Sequence, residues 1–202
     1  MSRARFYRPS GFRKTKPVYV VAMEGARTEP IYFRELRPGR EAAVRLILVT
    51  NVGHRSSPSD VLARLRDWAR KNTLRKTDEA WLVMDRDAFP EAELNQVCSD
   101  ARTHGYHIAM SNPCFELWLW LHLRDNRLFT DRHHCQRELA SVLANYEKGD
   151  YIAKALIENG CQDAIRRAAA LDVDPNALWP QNQGTWVFRL VRKLLPHAAP
   201  SA

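Results

Sequence analysis

Cysteine is scarce in this chain, and what there is does not pair. Cys98, Cys114, Cys135 and Cys161 are the four in 202 residues, and none forms a C-x-x-C. A disulfide framework is therefore not expected, and a reducing cytoplasm is the natural compartment. No second ligand pair at zinc spacing accompanies His133, His134 and Cys135, so that run reads as a solvated helix start. No apolar stretch reaches the ~18 residues needed to cross a bilayer, and the N-terminus has no apolar segment of the secretory kind. A G-x-x-x-x-G-K-S/T phosphate loop is missing, which excludes a P-loop ATPase. Internal repeats and a recognisable linker are missing too.

Acid is missing from the first 16 residues, where Arg3, Arg5, Arg8, Arg13, Lys14 and Lys16 alternate with Phe6, Tyr7 and Phe12. This is the composition of a basic flexible arm, suited to lie along phosphates or stack on bases; a tail without a partner is the other reading. Lys and Arg outnumber Asp and Glu by 31 to 23, and the net charge of +8 favours a polyanionic partner, nucleic acid first. Residues 17–202 are long enough for one sizeable domain with its own core.

Beyond Pro17 the apolar pattern alternates between strands and helices. Residues 18–23 read as a buried strand that runs into Glu24 and Gly25. Thr28 is the expected N-cap of a helix over 29–37, with Pro30 in its first turn. A second strand spans 44–50. A polar loop follows with His54 and Arg55, either a phosphate contact or a plain connection. Ser59 or Asp60 is expected to cap a helix over 60–72, where Val61, Leu62, Leu65 and Trp68 recur at helical spacing. Trp81 to Met84 is short and apolar enough for a central parallel strand, and it ends in Asp85-Arg86-Asp87. A helix over 90–103, ended by Gly105, leads to a strand over 106–110. Asn112 and Pro113 are the expected cap and first residue of a helix over 114–123. That helix is apolar nearly all round, hence buried, with Glu116 in its first turn. The remainder, 130–196, carries only helical patterns (132–146, 151–170 with a break expected at Gly160, and 185–195), expected to cover the sheet.

The acids sit at equivalent places. Glu24, the pair Asp85 and Asp87, and Glu116 follow buried strands, and open parallel sheets bind ligands outside the carboxyl ends of their strands. Asp85 and Asp87 taken alone either open a turn or offer two hard oxygen ligands. Right-handed crossovers bring neighbouring carboxyl ends together. Carboxylates converging in water-poor surroundings repel unless a cation joins them. Mg²⁺ or Mn²⁺ suits such ligands, and with a nearby Glu to move protons the set suits phosphodiester chemistry. Arg86 between the aspartates is expected on the opposite side of the strand.

Glu24-Gly25 followed by Thr28-Glu29-Pro30 and Tyr32-Phe33, the D-x-D strand, and Ser111-Asn112-Pro113-Cys114-Phe115-Glu116-Leu117-Trp118 with His122 together resemble the RloB-like family of bacterial defence proteins. The three matches are in order and span residues 18–123; the C-terminal third is only loosely similar. The resemblance implies an α/β, Toprim-like three-layer fold: a mostly parallel four-stranded sheet flanked by helices, with a helical C-terminal part. By the same resemblance Glu24 is the catalytic glutamate and Glu24, Asp85 and Asp87 hold the metal, with Glu116 a further ligand or an orienting group. The family is similar to abortive-infection effectors that act with a separately encoded ABC/SMC-like ATPase. The expectation is a Mg²⁺- or Mn²⁺-dependent nuclease acting on DNA or RNA, tRNA included. The alternative is a binding subunit whose site no longer cuts.

Overall fold

The computed structural model describes residues 15–36, 44–50, 56–86, 89–146 and 153–195. Arg3, Arg5, Arg8, Arg13, Lys14, His54, Arg55 and Asp87 lie outside these residues. Strand β1 (Val18–Met23), helix α1 (Thr28–Glu35), β2 (Arg45–Val49), α2 (Pro58–Lys71), β3 (Glu79–Asp85), α3 (Glu91–Thr103) and β4 (His107–Asn112) alternate as the sequence pattern requires. Then follow α4 (Glu116–Leu123), α5 (Arg132–Val142), α6 (Ala153–Ala170), β5 (Gly184–Thr185) and α7 (Val187–Leu194).

The sheet has the order β2-β1-β3-β4-β5. The first four strands are parallel, while β5 pairs antiparallel to β4 through Ser111↔Thr185 and Asn112↔Gly184. The sheet is thus five-stranded rather than four-stranded, because a two-residue strand carries no periodicity to read. From β1 the chain moves outward one way to β2, then returns past β1 to β3 and β4. Right-handed crossovers therefore put α1 on one face of the sheet and α2 and α3 on the other. The switch point lies between β1 and β3, where an open α/β sheet leaves a crevice for ligands. Helices α4 and α6 pack on each other and α1 packs on α6, so the C-terminal helices complete the α1 face.

Local chemistry moves several helix starts. Helix α1 begins at Thr28, with Arg27 at the cap position and no side-chain cap. The carboxylate of Glu29 instead reaches back to accept from the Gly25 N–H at 2.9 Å. Ser57, not Ser59 or Asp60, caps α2: its hydroxyl accepts from the Asp60 N–H at 3.2 Å and donates to the Asp60 carboxylate at 2.7 Å. This reciprocal bonding resembles a capping box. Asn112 is the last residue of β4, not a helix cap; its amide donates to the Pro180 carbonyl at 3.0 Å, and α4 starts at Glu116. Helix α6 runs unbroken through Gly160.

The core is continuous across the layers. Val20, Val21, Leu82 and Met84 of the central strands are inaccessible, as are Trp118 and Leu121 of α4. His122, on the same helix, is buried as a neutral imidazole. Its Nδ1–H donates to the Trp118 carbonyl at 2.9 Å, leaving Nε2 to accept from the Tyr32 hydroxyl at 3.1 Å. Burial pushes its pKa down to about 4, so it is a structural histidine joining α4 to α1.

Candidate acid site at the carboxyl edge of the sheet

The pairing register brings Glu24 and Asp85 together. Met23 pairs with Val83, and the Glu24 N–H continues that ladder to the Val83 carbonyl at 3.0 Å. The Glu24 carboxylate then accepts from the Asp85 N–H at 3.0 Å. Neighbouring parallel strands of matched length thus bring their terminal acids side by side at the switch point.

Asp85 turns toward the α1 and α4 face. Its Oδ1 is buried and has no hydrogen-bond partner. Its pKa is raised well above the usual carboxylate range, first by burial and then by the charges of Glu29, Glu116 and Glu24, with Arg132 opposing. Glu29, only 5% exposed, is likewise pushed up to about 7. Burial is the main cause; its own backbone N–H and that of Gly25 pull the other way, and Glu116 adds to the rise. A Cβ at Gly25 would lie 1.8 Å from a Glu29 carboxylate oxygen, so a larger residue there would push that carboxylate off the Gly25 N–H.

Glu116 is 7% exposed at the start of α4. The Tyr146 hydroxyl and the Gln136 amide donate to the same carboxylate oxygen, the latter at 3.2 Å. Both donors come from the C-terminal part, beyond the segment whose motifs marked the site. Beside them the buried Cys114 thiol is hydrogen-bonded to Cys135 and held well above its ordinary range. Tyr146→Phe is expected to lower stability by about 2 kcal/mol in the metal-free protein, since a buried carboxylate loses a donor. Urea denaturation measures it, and an unchanged midpoint would show that water replaces the phenol.

Of the residues singled out in the sequence, Glu24, Asp85 and Glu116 are brought into one electrostatic group, and Asp87 is outside the described residues. Arg86 leaves the site by the other face: its guanidinium lies 3.8 Å from Glu91 and 6.0 Å from the Trp179 ring centre. Lys16 precedes β1 at the amino end of the sheet, where its carbonyl accepts from Arg75 at 2.6 Å. That is a strand's length from Glu24. Glu29 is legible in the sequence only as an acid in a first helical turn, yet at 5% exposure it is buried as deeply as Glu116 at 7%. Its place in the E-G-x-x-T-E run was the one available signal.

The donor set is all oxygen, which suits Mg²⁺ or Mn²⁺. A buried Asp85 oxygen without a partner and mutually repelling carboxylates fit a cation that would neutralise them. Among the described residues, however, no group of three His, Cys, Asp or Glu side chains is arranged to hold a metal ion. Were such an ion bound, Glu24 and Asp85 would be the ligands nearest to hand among the described residues, and Glu29 or Glu116 would have to rearrange to add a third. No helix among the described residues is long and apolar enough to cross a membrane.

A mostly parallel α/β domain with carboxylates gathered at its switch point is compatible with a Toprim-like three-layer fold. The chain matches the family described as RloB-like protein over residues 19–194, and it belongs to that family. No curated protein and no solved structure matched it.

Proposed function

We propose that the protein is a Mg²⁺- or Mn²⁺-dependent nuclease, cleaving phosphodiesters of DNA or RNA, tRNA among the candidates. In this reading it is a defence effector whose activity is controlled by a separately encoded ABC/SMC-like ATPase. The observation that carries the catalytic reading is the buried, unpartnered Asp85 oxygen beside Glu24 at the switch point. A bound divalent ion supplies charge for the phosphoryl oxygens and an activated water. The protein's own residues do the rest. The Asp85 N–H fixes the Glu24 carboxylate, so Glu24 is oriented before substrate arrives. Glu29, its pKa pushed up to about 7 mainly by burial, can take and return a proton at its carboxylate near neutral pH.

A second reading, a nucleic-acid- or ATPase-binding subunit with a vestigial site, draws on the absence of a three-ligand group among the described residues. One comparison separates the two. Mn²⁺ or Mg²⁺ should raise the melting temperature of the wild type and leave Asp85→Ala unmoved, because an ion stabilises only a folded state that holds it. Glu24→Gln should remove cleavage while the fold survives. Equal shifts in wild type and Asp85→Ala, or cleavage intact in Glu24→Gln, would sink the nuclease.

A further inference from the structure

We propose that Arg64 and Arg132 form a two-sided guanidinium clamp that holds a phosphate of the nucleic-acid backbone against the acid group. The clamp rests on the nuclease reading and names what meets the substrate. A site of four acids repels a polyanion, so cations must stand beside it. Lys16, the described residue of the basic arm, lies at the opposite end of the sheet, and Arg86 points toward Trp179.

Two other arginines do reach the site, one from each face. On the α2 face, Arg64 donates through a terminal nitrogen to the Met23 carbonyl at 2.7 Å. That carbonyl immediately precedes Glu24, and the charges of Asp60, the stronger, and Glu24 both act on the half-buried guanidinium. On the other face, the positive charge of Arg132 acts on Asp85, and its Nε is buried. Arg132 lies one turn before Gln136, whose amide holds Glu116, so both lie on the side of α5 turned to the acids. The two guanidiniums therefore flank the switch point from α2 and α5, joined to strands β1 and β3 by the residues they touch or polarise. Planar guanidiniums match phosphate oxygens two at a time, which ammonium groups do not. Guanidiniums that reach the acid group from opposite faces of the sheet have the layout that places a phosphodiester over the carboxylates.

The alternative is that both arginines only neutralise the acids. Binding separates the two, since a purely structural counterion does not alter the salt dependence of nucleic-acid binding in a protein that remains folded. The full chain is titrated into short labelled single strands, DNA and RNA in separate arms, in Ca²⁺ at several salt concentrations. Arg64→Gln and Arg132→Gln are each expected to weaken binding about tenfold and to reduce the salt slope by about one phosphate contact. Arg64→Lys and Arg132→Lys, which keep the charge and guard against misfolding, should fall between. Unchanged affinity and slope in the Lys and Gln variants would overturn the clamp. So would a wild type that gains metal stabilisation through Asp85 yet binds neither strand; the metal site would then stand without the clamp. Weakened binding in the arginine variants, together with no metal stabilisation of the wild type, would support the clamp and remove the nuclease.

Discussion

Glu29→Gln is expected to be more stable than the wild type at neutral pH when no metal is present, by about 3 kcal/mol. The Glu29 pKa is raised from 4.5 to about 7 in the folded protein, mainly by burial. A carboxyl whose folded pKa lies above its unfolded one holds its proton more tightly when folded. Its contribution is therefore most favourable below pH 4.5 and is lost as pH climbs through 7. The amide of Gln stays neutral and can still accept from the Gly25 N–H, so the advantage of the variant should grow across that window and vanish at its acid end. Comparing the variants matters because His122 works in the opposite sense. Its folded pKa of about 4, against 6.5 for a free imidazole, makes stability rise with pH through the same range. Subtracting one denaturation curve from the other cancels it. Saturating Mg²⁺ or Mn²⁺ should narrow the gap, since a ligand at a hundred times its dissociation constant adds about 2.7 kcal/mol to a state that can bind it, and Gln at position 29 offers the ion one negative charge less. Chemical denaturation of both proteins at a series of pH values, with and without the ion, tests this. A gap that does not change with pH would mean Glu29 is not strained by its burial.

Much of the framework was legible because burial on both faces of a parallel strand leaves an unbroken apolar run. Val18 to Met23 and Trp81 to Met84 could be placed for that reason, and the acids that end them followed. The chemistry of Glu24 and Asp85 thus came from a local pattern. What local pattern cannot carry is which side chains meet across the fold. Glu29 looks like any acid in a first helical turn, and nothing nearby says that Glu116 and Asp85 act on it. Gln136 and Tyr146 sit in a stretch with only loose motifs, yet they hold Glu116. Strand β5 is two residues long and exists only because β4 offers it an edge. The cap of α1 differs for a related reason: the helix starts one residue earlier than expected, at Thr28, and the Ile31 N–H goes to the Arg27 carbonyl rather than to a Thr28 hydroxyl.

Gly160 shows the same limit from the side of packing. In an exposed helix, replacing glycine with alanine stabilises by about 1 kcal/mol, and sequence alone suggests a break there. Instead α6 crosses α4 at Gly160 so closely that a Cβ would stand 2.3 Å from the His122 carbonyl oxygen and 3.0 Å from its carbonyl carbon. Both obstacles are backbone of a buried helix, and neither can swing aside. Gly160→Ala is expected to lose about 3 kcal/mol despite its better propensity, at the upper end of what overpacking a core costs. Melting should fall by roughly 9 °C for a chain of this size. Gly160→Val should cost more, since β-branching adds bulk in both directions. The damage should also reach the acid site. His122 holds the Tyr32 hydroxyl, which lies 3.8 Å from the Cys161 sulfur on α6 next to Gly160. Parting α6 from α4 therefore loosens α1, and with it Glu29. Metal-induced stabilisation should weaken in Gly160→Ala even at temperatures where the variant is fully folded. A variant that melts at or above the wild type would show that α6 can slide along α4, and that the close crossing does not set the position of α1.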